Sequence, residues 1–73
     1  MSKQTFLVCV ANDGYEASLE LRKLYKVVPD SQAERFGQVR VVEESGEDYL
    51  FPDSFFAPVR LPSDTKVRLL ATV

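Results

Sequence analysis

The chain has 73 residues, with 9 basic and 11 acidic side chains, one cysteine and no histidine. That length holds one domain with a thin core, and the missing histidine removes imidazole catalysis and histidine-ligated metal. A net charge of −2 lacks the basic excess from which phosphate-binding proteins draw affinity, while an apolar content of 45% is too high for a disordered chain.

Phe6 to Ala11 is apolar at every position, which reads as a strand buried on both faces. Asn12-Asp13-Gly14 ends it in a turn, since all three residue types tolerate left-handed backbone. From Glu16 to Val28 two patterns compete. Asp13 and Glu16 have capping-box spacing, and Ala17, Leu21, Leu24 and Val28 recur at helical intervals. Against this, Ala17, Leu19 and Leu21 alternate strictly with polar residues, and a helix would leave Leu19 exposed. The alternation predicts a long strand over residues 16–28, bent by a bulge at Arg22-Lys23.

Pro29-Asp30 ends that strand. Ser31 and Glu34 have capping-box spacing, and Gly37 stands where a left-handed residue closes a helix. One helical turn is therefore expected over residues 31–36, with Phe36 anchoring it to the core. Gln38 to Glu43 and Asp48 to Phe51 read as the two arms of a hairpin around Glu44-Ser45-Gly46-Glu47, with Val39 and Val41 facing one way. Pro52-Asp53-Ser54 is a tight turn, Phe55 to Pro58 an apolar knot, and Val59-Arg60-Leu61 a short strand closed by Pro62. In residues 66–73, Val67, Leu69, Ala71 and Val73 share strand parity. This stretch reads as an extra strand, a helix, or a strand given to a neighbouring copy.

Short strands, tight turns and little helix predict a mainly β fold. The element order fits a small SH3-like antiparallel barrel over residues 1–62, with residues 63–73 as a C-terminal extension. Closure would remove sheet edges that so small a protein has difficulty covering. Lys23 to Asp30 and Val39 to Pro52, above all Glu44-Ser45-Gly46-Glu47-Asp48-Tyr49-Leu50-Phe51-Pro52, resemble a family of small bacterial proteins with no assigned activity. Phe51-Pro52-Asp53-Ser54-Phe55-Phe56 looks like the end of a peptide-binding SH3 domain, where a proline, a one-turn helix and an aromatic residue line the ligand groove. By that resemblance Pro52 and Phe55 or Phe56 match groove positions. The chain has no tryptophan to supply the stacking indole of those domains.

No nucleophile, base and oxyanion stabiliser come together in the sequence, so no catalytic residue is assigned and the protein is expected not to be an enzyme. Cys9 sits in an apolar strand with no adjacent cation, where a thiol is a core residue rather than a nucleophile. Glu43, Glu44, Glu47, Asp48 and Asp53 lack EF-hand spacing and read as a solvated hairpin tip, so neither metal nor cofactor is expected. Tyr15, Phe51, Pro52, Phe55 and Phe56 are the candidate partner-binding residues, at least two of them belonging to the core. Arg22, Tyr25, Lys26 and Arg40 offer an alternative basic face for nucleic acid, with cross-strand ion pairs as its ordinary explanation.

These residues point to a non-catalytic interaction module that binds a protein segment or its own copies, with a homo-oligomer formed through residues 66–73. A nucleic-acid-associated accessory protein is the second reading. The lone cysteine and the short apolar run at residues 6–11 lead to the expectation of a soluble cytoplasmic protein with no membrane segment.

Overall fold

A computed structural model describes residues 5–71. In chain order it contains strand β1 (Phe6–Cys9), strand β2 (Leu24–Val28), helix α1 (Ser31–Arg35), strand β3 (Gln38–Val42), strand β4 (Asp48–Pro52), a 3₁₀ turn (Asp53–Phe55), strand β5 (Phe56–Pro58) and helix α2 (Ser63–Ala71). The fold is mainly β. Its five strands form one antiparallel sheet in the order β4-β3-β2-β1-β5.

β2 is where the sheet turns. Leu24 to Lys26 pair with β1, while Val27 and Val28 pair with β3. The sheet curls about this strand until side chains of its two end strands meet: the rings of Phe51 on β4 and Phe56 on β5 lie 6.4 Å apart. Among the described residues the hydrogen-bond ladder does not close, and β4 and β5 are its end strands. Inside the curl Cys9, Leu19, Tyr25, Val41, Phe51 and Phe56 form the core, with Leu7, Val27, Val39 and Phe55 packed against them.

The hairpin from β3 to β4 forms where the alternation put it, with Val39 opposite Phe51 and Val41 opposite Tyr49 on the core face. α1 also lies where expected, but its cap is Asp30 rather than Ser31. The Asp30 carboxylate accepts from Ala33 N–H at 3.0 Å and from the Arg40 guanidinium at 3.0 Å. One side chain thus caps the helix and ties it to β3. Gly37 takes the left-handed conformation, φ +69°. Ala33 is the buried residue of α1, whereas Phe36, the expected anchor, is 74% exposed.

The long bent strand over residues 16–28 does not form. Its β part starts at Leu24, and residues 12–20 fold as turns, with Tyr15 C=O accepting from Ser18 N–H and Leu19 N–H. The bulge expected at Arg22-Lys23 does form at the entrance to β2. Arg22 N–H donates to Cys9 C=O at 2.7 Å and Cys9 N–H to Lys23 C=O at 2.9 Å, so two residues face one, with Arg22 at φ +66°. Period-two alternation failed as a guide because Leu19 enters the core from a turn, at 0% exposure, while Leu21 stays 47% exposed. The apolar run of β1 is likewise shorter than its sequence, and Val10 is exposed.

The last strand is β5, not Val59 to Leu61. β5 is an end strand, so Pro58, which lacks an N–H, is tolerated opposite Leu7. The stretch at 63–71 is helical, which removes the extra-strand and donated-strand readings there; Thr72 and Val73 lie outside the described residues. Among the described residues no helix is long and apolar enough to cross a membrane.

Replacing Leu19 by alanine is expected to lower unfolding stability by about 2–4 kcal/mol, in the range of buried leucine truncations. Leu21→Ala should change it by less than about 0.5 kcal/mol. Chemical denaturation of both variants measures the contrast, and equal losses would mean the loop is not packed as described.

Candidate functional site

The loop between β1 and β2 is held by residues on either side of Leu19. Ser18 C=O accepts from Glu44 N–H at 3.1 Å, Leu19 C=O from the Asn12 side-chain amide at 2.8 Å, and the Tyr25 hydroxyl from Glu20 N–H at 2.7 Å. This fixes Tyr15, which is 43% exposed, against the 3₁₀ turn and β4. Its ring meets Phe51 edge to face at 5.2 Å and 86°, and Phe55 at 5.8 Å and 68°. Phe55 is fixed in turn from below, because its carbonyl accepts from both Val10 N–H and Ala11 N–H.

The five candidate partner-binding residues therefore divide. Phe51 and Phe56 are core, at 2% and 8% exposure. Tyr15 stands exposed, and Pro52 and Phe55 are half-buried beside the 3₁₀ turn. Tyr49 was not singled out by the sequence reading, yet strand parity with Phe51 puts it on the same face, 49% exposed. Tyr15, Tyr49, Phe51, Ser18, Glu43 and Ser45 line one open concavity of about 460 Å³, together with Leu50.

Glu43 does not belong to a solvated tip: it is buried, at 8% exposure. Ser45 N–H donates to its carboxylate at 2.6 Å. Hydrogen bonds from the Ser45 hydroxyl, the Ser45 N–H and Ser18 hold it below the usual carboxylate range, against the opposing effect of burial. Glu43 thus joins the hairpin tip to the loop that carries Tyr15. Glu44 is also held low, first by the Lys23 ammonium at 2.7 Å and then by the Tyr25 hydroxyl, which donates to it. Burial, then the bond to Glu44, pushes the Tyr25 phenol up.

The alternative basic face is not assembled as a stacking surface. Tyr25 is 4% exposed and spends its hydroxyl on Glu20 and Glu44, so its ring is closed to a base. Arg40 is bound by Asp30 at 3.0 Å and Asp48 at 3.4 Å. Lys26 and Arg22 are exposed. Cys9 is fully buried, and burial raises its thiol above the ordinary value. Among the described residues no three of His, Cys, Asp and Glu gather to hold a metal ion. The helix α2 buries none of its residues and exposes Val67 and Leu70.

No family model, curated protein or solved structure matches the chain.

The shifts set the pH window of stability. Glu43 and Glu44 ionise more readily folded than unfolded, so their contribution is complete above the ordinary carboxylate value of about 4.3 and is lost as the pH falls through their folded values. Tyr25 holds its proton more tightly when folded, so its contribution is complete below about pH 10 and is lost as the pH rises further. Tyr25→Phe is expected to cost about 1–2 kcal/mol at neutral pH, from the lost bonds to Glu20 and Glu44. It should also flatten the alkaline decline. Denaturation midpoints between pH 3 and 11 would check both, and an unchanged alkaline limb would contradict the assignment to Tyr25.

Proposed function

We propose that the protein is a non-catalytic binding module of the SH3-like type, partly open rather than a closed barrel, which takes an extended protein segment across Tyr15, Pro52 and Phe55. The observation that carries this reading is the exposed Tyr15 ring set edge-on to both Phe51 and Phe55. A surface of rigid aromatic rings and a proline, backed by core, suits a proline-rich segment, which binds with little loss of chain entropy. The strand order supports the type, as do the long loop between β1 and β2 and the one-turn helix before β5.

Charge refines the partner. Asp13 and Glu16 stand exposed on the loop that carries Tyr15, Asp53 stands exposed beside Pro52, and among the described residues no lysine or arginine lines the Tyr15 concavity. Such a rim favours a segment carrying arginine or lysine next to its prolines.

Fluorescence anisotropy with an arginine-flanked proline-rich decapeptide tests the reading. Binding is expected, with Tyr15→Ala weakening it about tenfold, as for an interface anchor, while the unfolding midpoint stays close to that of the parent. No binding, or equal affinity in the variant, would refute it. Retention on immobilised RNA or DNA that falls steeply with salt would instead favour a nucleic-acid role.

A further inference from the structure

β4 is an end strand, paired with β3 on one side and with no described residue on the other. Bonds at the two ends of the hairpin show which of its peptide groups face outward. Glu43 N–H donates to Glu47 C=O at 2.9 Å, and Asp53 N–H donates to Gly37 C=O at 2.9 Å. Both pairs continue the register of Val41 with Tyr49 and Val39 with Phe51. In an antiparallel ladder these are the bonded pairs, and the residues between them turn their peptide groups away. The N–H and C=O of Asp48 and Leu50 therefore form an open row along the edge, which ends at Pro52, whose C=O caps the 3₁₀ turn. Pro52 has no N–H to lose there.

The side chains along this row have a pattern. Tyr49 and Leu50 in the middle are 49% and 37% exposed. Glu47 and Asp48 at one end, and Asp53 at the other, are exposed acids. Arg40, the cation opposite Leu50, is already bound to Asp30 and Asp48. A second copy does not match this pattern. Two β4 strands paired antiparallel about Leu50 would set Glu47 of each copy directly against Asp53 of the other, and like charges across a pair are destabilising.

We propose that the β4 edge takes up an extended segment of a different protein, apolar in the middle and carrying lysine or arginine at both ends, which joins the sheet as a further strand. The row of outward peptide groups supplies the pairing, Tyr49 and Leu50 meet the apolar middle, and the flanking acids select the ends. This edge adjoins the concavity built on Tyr15, with Tyr49 and Leu50 in both, but the strand pairing uses backbone groups of β4 and does not rest on the Tyr15 ring.

Amide hydrogen exchange followed by NMR tests the proposal, with the synthetic peptide Lys-Thr-Val-Thr-Val-Thr-Lys and its glutamate-ended counterpart as probes. At saturating lysine-ended peptide, exchange at Asp48 and Leu50 is expected to slow about tenfold, with no change from the glutamate-ended peptide. Leu50→Pro removes an outward N–H and no bond to β3, a change that edge strands tolerate, and should abolish the protection. Glu47→Lys with Asp53→Lys should reverse the preference, which keeps the test decisive should the proline variant fail to fold. The proposal is overturned by protection from neither peptide or equally from both. It is also overturned by protection that grows with protein concentration alone, which would mean self-association. Loss of protection in Tyr15→Ala would overturn it too, by placing the peptide on the aromatic surface.

Discussion

Leu19 is the residue on which the arrangement depends. It reaches the core from a loop rather than a strand, and the residues on both sides of it are bonded to different parts of the sheet: Ser18 to the hairpin tip, Glu20 to the Tyr25 hydroxyl. A small domain has little apolar surface to bury. Here a loop side chain completes the core, and the loop becomes as well anchored as a strand. The exposed Tyr15 ring owes its position to that anchor.

The same economy appears in the polar groups. Tyr25 is a core ring whose hydroxyl both receives from the Glu20 amide and donates to Glu44. Glu43 is a buried carboxylate satisfied by Ser45 and Ser18. Asp30 caps α1 and holds Arg40. Among the described residues no buried side-chain nitrogen or oxygen lacks a partner. Each of these side chains joins two elements, so loop, hairpin and sheet share their stability.

What could be read beforehand was what local pattern controls. The hairpin, the α1 turn and the left-handed Gly37 all follow from alternation and turn chemistry within a few residues. What could not be read depended on distant partners. Leu19 and Leu21 look alike in sequence, and only the fold buries one and exposes the other. Phe36 resembled an anchor because it is large, but α1 turns Ala33 inward and leaves Phe36 exposed. Among the candidate site residues, the expected division between core and surface appeared, with Phe51 and Phe56 inside. Tyr49 was the omission that parity with Phe51 could have supplied. Tyr25 was offered to bases by its neighbours in sequence and withdrawn from them by Glu44, nineteen positions along the chain.

The helix α2 has a different standing from the rest. Its nine residues bury no side chain completely, and only Leu69 and Leu70 share a cavity wall with Phe6 and Leu24 on the outer face of the sheet. A helix of that length has marginal stability by itself in water. On heating, its ellipticity should therefore fade gradually over a broad range, while the strands beneath it melt together in a single sharp step.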